Sequence, residues 1–104
     1  VSGPARDCAS LAEVRAEIDR LDRLIVPLLA ERAGYVLQAA RFKSRAEEVP
    51  APARVEEVVA KVRALAAEAG ADPALIEAIY RPMIAAFIAS EMPEFERLHR
   101  GDAG

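Results

Sequence analysis

Arg32 occupies a position where an apolar side chain is expected. Leu11, Val14, Ile18, Leu21, Ile25 and Leu28 follow one another by threes and fours, and Tyr35, Ala39 and Phe42 continue the rhythm. That spacing writes one apolar seam along one helix face, and Arg32 fills the gap between Leu28 and Tyr35. A guanidinium keeps its proton, and burying it unpaired is very costly. An anion must therefore meet it. Lys43 lies eleven residues further on, which places it on the same face about 16 Å along a helix. The small residues Ala39 and Ala40 between them leave room for an anionic ligand. Arg15 is seventeen residues before Arg32, about 25 Å away and on another face. It cannot share a pocket with Arg32 of its own chain, but in an intertwined dimer it reaches the partner's.

Glu91 is the matching anomaly late in the chain. It follows Phe87 by four and precedes Phe95 by four, which puts a carboxyl on or beside a buried face. Such a carboxyl either pairs with a cation or holds its proton. Pairing with Arg32 or Lys43 in a structural salt bridge is one solution, and a ligand between the charges is the other. Asp19, Asp22, Glu31, Glu56 and Glu57 have solvated helical positions or ordinary neighbours one turn away. His99 stands alone near a frayed end, and Cys8 is an incidental thiol.

Three helices must position these groups, and no strand pattern is present. Ser10 and Glu13 form a capping box that opens helix 1, which runs to Lys43 or Arg45 with a bend at Pro27. Pro50 and Pro52 mark a loop. Helix 2 runs from Pro52 to Ala69 with Val55, Val58, Val59, Val62 and Leu65 inward, and Gly70 closes it. Asp72 and Pro73 open helix 3 as N-cap and first residue. It turns Leu75, Ile76, Ile79, Met83, Phe87 and Ile88 inward and ends near His99, with Pro82 and Pro93 bending or fraying it. Residues 1–9 read as a disordered segment, 10–100 as one helical domain and 101–104 as a loose tail. Helix 1, at about 50 Å, is too long for a compact domain whose radius of gyration would be about 13 Å. Its seam does not stop at the projecting end, so a second copy should cover it in a twofold dimer.

Bulk properties narrow the function. The chain has 104 residues, 53% apolar, with a formal net charge of −3 and a pI near 5.2. A nucleic-acid footprint is absent. No apolar run approaches the roughly 20 residues that span a bilayer, and no secretory layout opens the chain. A soluble cytoplasmic protein is the expectation. One cysteine allows neither an intrachain disulfide nor a cysteine-based metal site.

The segments LAEVRAEIDRLDRLIVPLLAER (11–32), YVLQAARFK (35–43) and VPAPARVEEV (49–58), with Glu91 beyond them, resemble the all-helical class of chorismate mutases across residues 7 to 99. RFK and PAPxRV look especially like the branch containing isochorismate-pyruvate lyases. The resemblance implies an all-α, three-helix protomer in an intertwined homodimer with two shared pockets. It implies that Arg15 enters the neighbouring pocket, that Arg32 grips a substrate carboxylate, and that Lys43 and Glu91 meet the substrate's ether oxygen. Arg54 matches an arginine of the loop-to-helix-2 region. Val55 and Ala51 stand where many mutases carry acids, which weakens contacts to a substrate hydroxyl. Glu91, in place of the lyase-like branch's Gln, leans toward the mutase.

The implied function is rearrangement of chorismate to prephenate, a pericyclic reaction that needs no cofactor, metal or nucleophile. Catalysis would come from holding a reactive conformer and from donors placed where charge grows on the ether oxygen. The substrate's two carboxylates account for several arginines. Two other readings stand beside it. One is an isochorismate-pyruvate lyase or a mutase of a related chorismate derivative. The other is a non-enzymatic helical dimerisation or regulatory module in which Arg32 and Glu91 simply pair.

Overall fold

The computed structural model describes the backbone of residues 5–103 and the side chains of residues 5–100. Residues 1–4 of the expected disordered segment and Gly104 of the tail lie outside the described residues. The chain forms three α-helices, α1 (Leu11–Ala39), α2 (Pro52–Ala69) and α3 (Pro73–Ala103), and the described residues contain no strand. Short 3-10 turns at Ala40–Phe42 and Ala46–Glu48 fill the connection from α1 to α2.

The helix ends follow local chemistry. Ser10 is extended, and its side chain accepts from the Glu13 N–H at 3.1 Å. Glu13 reaches back to the Ala9 N–H at 2.7 Å, one residue earlier than a standard capping box. α1 runs unbroken through Pro27. α2 begins with Pro52 at its first turn, where a missing N–H costs nothing. The proline forces its predecessor away from the right-handed helical region, and Ala51 sits left-handed at φ 41°. Gly70, at φ 78°, ends α2, and the Ala71 N–H returns to the Ala66 carbonyl at 2.8 Å. That closure needs the left-handed residue that glycine supplies. Asp72 accepts from the Ala74 N–H at 2.9 Å and starts α3. α3 then continues to Ala103, past Gly101 and through both Pro82 and Pro93.

α2 and α3 pack on each other along their length, and α1 meets α3. The buried apolar residues are Val59, Val62 and Ala66 on α2, Ile84 and Phe95 on α3, and Ala40 and Val49 in the connection. No residue of α1 itself is buried. The seam foreseen on it is open, with Leu11 61% and Leu28 65% exposed. Leu65, Leu75 and Ile79, expected inward, are exposed as well. Their spacing is that of a covered face, but no helix of this chain crosses over them. The molecule is long and thin at 62 × 25 × 19 Å, with a radius of gyration of 17.6 Å.

One helix bears on the expectation that no apolar run is long enough to span a bilayer. The stretch Pro73–Arg100 is long and apolar enough to cross a membrane by length and composition, with a mean hydropathy of 1.2 over its richest window. No uninterrupted apolar run marks it, because charged residues divide the segment. Its Ile84, Glu91 and Phe95 are buried in the three-helix fold.

Candidate active site

A cavity of about 320 Å³ lies where the three helices and the α1–α2 connection converge. That is near the lower end for small-molecule sites. Its walls are mainly apolar, from Val36 and Ala39 on α1, Val55 and Val58 on α2, and Ile84 and Ile88 on α3. The cations Arg32, Lys43 and Arg54 and the carboxyl of Glu91 line it, together with the Tyr35 phenol. Three cations face one acid, so the cavity favours a ligand carrying more than one negative charge.

Arg32 is half-buried on the last third of α1. Its guanidinium carbon lies 4.8 Å from the centre of the Phe87 ring. A planar cation is well held against an aromatic face, and this contact leaves its N–H groups for a ligand. Among the described residues, no carboxylate lies within ion-pair distance of Arg32. The structural pairing with Glu91 foreseen as an alternative is therefore not made.

Lys43 makes that pairing instead. Its Nζ donates to Glu91 Oε2 at 2.6 Å and lies 3.5 Å from the Val49 carbonyl oxygen. Glu91 is 3% exposed. The spacing had put Lys43 on the helix itself. The α-helix ends at Ala39, and after the 3-10 turn Lys43 is extended, at φ −106° and ψ 136°. The Ser44 and Arg45 N–H groups, which a continuing helix would use, bond instead to the Glu48 side chain. This is the local competition by which a polar side chain ends a helix. The turn still delivers the ammonium to the cavity that Arg32 faces.

Arg54 is in the lining, but its guanidinium pairs with Glu57 one turn along α2. That hydrogen bond, aided by the charges of Lys61 and Arg54, holds the Glu57 carboxyl below the usual range. Arg15 is exposed on the first turns of α1 and is not in the lining. Two contributors escaped the sequence. Phe87 read only as core, although it is the shelf for Arg32. The Val49 carbonyl has no side-chain signature. The Pro50–Ala51–Pro52 punctuation was the available hint that backbone would face the site there.

The comparisons with known proteins agree with this geometry. The family model described as chorismate mutase type II matches residues 14–92. Isochorismate pyruvate lyase of Pseudomonas aeruginosa is 37% identical over 97 residues, covering 93% of this chain and 95% of that protein. The matched span contains Arg15, Arg32, Lys43, Arg54 and Glu91. From Arg32 to Glu91, the residues that frame the cavity lie within one recognised family unit, and the chain belongs to the chorismate mutase type II family.

Proposed function

We propose that the chain is a chorismate mutase that binds the chorismate dianion in this cavity and rearranges it to prephenate. The observation that carries the reading is the convergence of Arg32, Lys43 and Arg54 with a single buried acid in a small, mostly apolar space. Arg32, paired with no carboxylate among the described residues, takes one substrate carboxylate by a forked hydrogen bond. The apolar walls select a compact conformer with its reacting ends in contact. Lys43 donates to the ether oxygen as negative charge grows there. Glu91 serves the same oxygen only when it carries a proton. As the dianion binds it takes over Lys43, and the proton that Glu91 needs for this role comes from solvent.

The proposal includes a homodimer with shared sites. The open seam of α1 supports it. The partner's Arg15 would supply the remaining contact. Solubility in the cytoplasm belongs to the same reading.

A second reading is favoured by the lyase relative. An isochorismate-pyruvate lyase would use the same carboxylate grip and the same ether-oxygen donors. Incubation with each compound separately, followed by product identification, decides between them. Prephenate from chorismate supports the mutase, and salicylate with pyruvate from isochorismate supports the lyase. Turnover of neither would leave a non-enzymatic module.

A further inference from the structure

The segment between α1 and α2 must keep Lys43 in the cavity, and it has little packing with which to do so. Ala40 and Val49 are buried at its two ends. Between them every side chain except that of Lys43 is exposed. One carboxylate oxygen gathers this stretch. Glu48 Oε1 accepts from the Ser44 N–H at 3.0 Å, from the Ser44 hydroxyl at 2.8 Å and from the Arg45 N–H at 2.9 Å. The backbone closes the same turn, with the Glu48 N–H on the Arg45 carbonyl at 3.0 Å and the Val49 N–H on the Ala46 carbonyl at 3.1 Å.

The positions of these residues give the contact its consequence. Ser44 adjoins Lys43, and Glu48 adjoins Val49, whose carbonyl lies 3.5 Å from Lys43 Nζ. Tying residue 44 to residue 48 therefore sets the distance between the lysine and the carbonyl it meets. The Lys43 ammonium is held at its far end by Glu91 at 2.6 Å, but its backbone adds only a weak N–H contact to Ala40, at 3.4 Å. Without the tie, a free stretch of this length reaches up to about 3.3 Å per residue, enough to carry the ammonium out of the cavity.

We infer that Glu48 is a positioning residue, a latch that folds the Lys43–Val49 segment so that Lys43 is in place before substrate arrives. The inference rests on Lys43 acting in the proposed reaction. Three donors converging on one oxygen suit an anion. A glutamine there keeps an acceptor of the same reach with less attraction, and an alanine keeps none. Because a preorganised donor acts on the transition state, loss of the latch should lower kcat more than it raises KM.

The test uses the full chain, its Glu48→Ala and Glu48→Gln variants, and trypsin with peptide masses read over time. Cuts after Lys43 and Arg45 report opening of the segment, and cuts after Arg63 and Arg97 report unfolding. Glu48→Ala should raise the first set relative to the second about five- to tenfold, a range set by charge-assisted bonds discounted for exposure. Its kcat should fall by a similar factor, and Glu48→Gln should lie between it and the wild type. If both sets of cuts rise together, Glu48 merely supports the fold and the inference fails. It also fails if the first set rises while kcat holds, or if nothing changes. A wild type that turns over neither chorismate nor isochorismate sinks the reaction instead, and the cleavage ratio then reports separately whether the latch exists.

Discussion

The two ends of α1 carry the same apolar period but meet different surroundings. At the C-terminal end, Arg32, Val36 and Ala39 face α2 and α3 across the cavity. Toward the N-terminus, Leu11, Val14, Ile18, Leu21 and Ile25 repeat the pattern and stay exposed among the described residues. Periodicity reports that a face is to be covered and is silent on what covers it. So continuous an apolar stripe marks an interaction surface, and the proposed dimer would place a second copy on it.

The largest effect should come from placing a charge in the bare half. Leu21→Glu should dissociate the dimer, because a charge buried without a partner costs several kcal/mol and the twofold introduces it twice. Sedimentation at micromolar concentration should give about twice the 11.2 kDa chain mass for the wild type and the single mass, or unfolded chain, for the variant. A wild type that sediments as a folded monomer removes the distinction between the two ends and the shared site with it.

Arginines at the two ends sharpen the contrast. Arg32→Ala should lower kcat/KM by about 10²-fold or more while the thermal midpoint holds, since Arg32 makes no ion pair among the described residues. Arg15→Ala should lower it too, by roughly tenfold or more, although Arg15 lies far from the cavity of its own chain. Normal activity in Arg15→Ala would mean that each protomer works alone. Lys43→Ala is less clean than Arg32→Ala. It strands the buried Glu91, and breaking such a pair is itself destabilising by about 3–5 kcal/mol.

Glu91→Gln tests the paired cation against the unpaired one with a smaller change. An ionised Glu91 can only accept from Lys43, and would repel charge forming on an ether oxygen. The amide variant, always a donor, should therefore keep or exceed the wild-type kcat/KM at neutral pH. A folded but inactive variant would make Glu91 a base or a structural anion.

The smallest effect belongs to the covered α2–α3 face. Arg81 bonds Glu56 at 2.9 Å through both terminal nitrogens and Glu77 at 2.6 Å through Nε. The Arg81 hydrogen bond is the leading cause that holds each of these carboxyls below its ordinary value. Lowered folded values stabilise the protein above the unfolded value near 4.5, and that contribution is lost as pH falls below it. The groups are exposed, so melting at neutral pH should shift by only about 2 °C in Arg81→Ala. The wild-type advantage should vanish in acid. A large shift would place this cluster among the main supports of the fold.

The helices were legible because their signals are local. Ser10, Pro52, Gly70 and Pro73 act within a turn of themselves, and the observed starts and stops coincide with them. The charges out of place on apolar faces were legible for a similar reason, since burial makes each of them an exception. Arg32, Lys43, Arg54 and Glu91 do share one cavity.

Which charge meets which was not legible. The choice of Lys43 over Arg32 as partner for Glu91 depends on where α1 stops and how the connection turns, and Glu48 takes part in both through bonds to residues three and four positions away. The shelf under Arg32 depends on the rotation of α3, which brings Phe87 rather than a carboxylate beside it. By itself the sequence determined the helices, their polar exceptions and the family they announce, because each of these is written in residue type and short spacing. Only the tertiary structure decided the pairing of the charges and the side of α1 left bare, because those depend on how separate helices pack, and each helix alone is compatible with several packings.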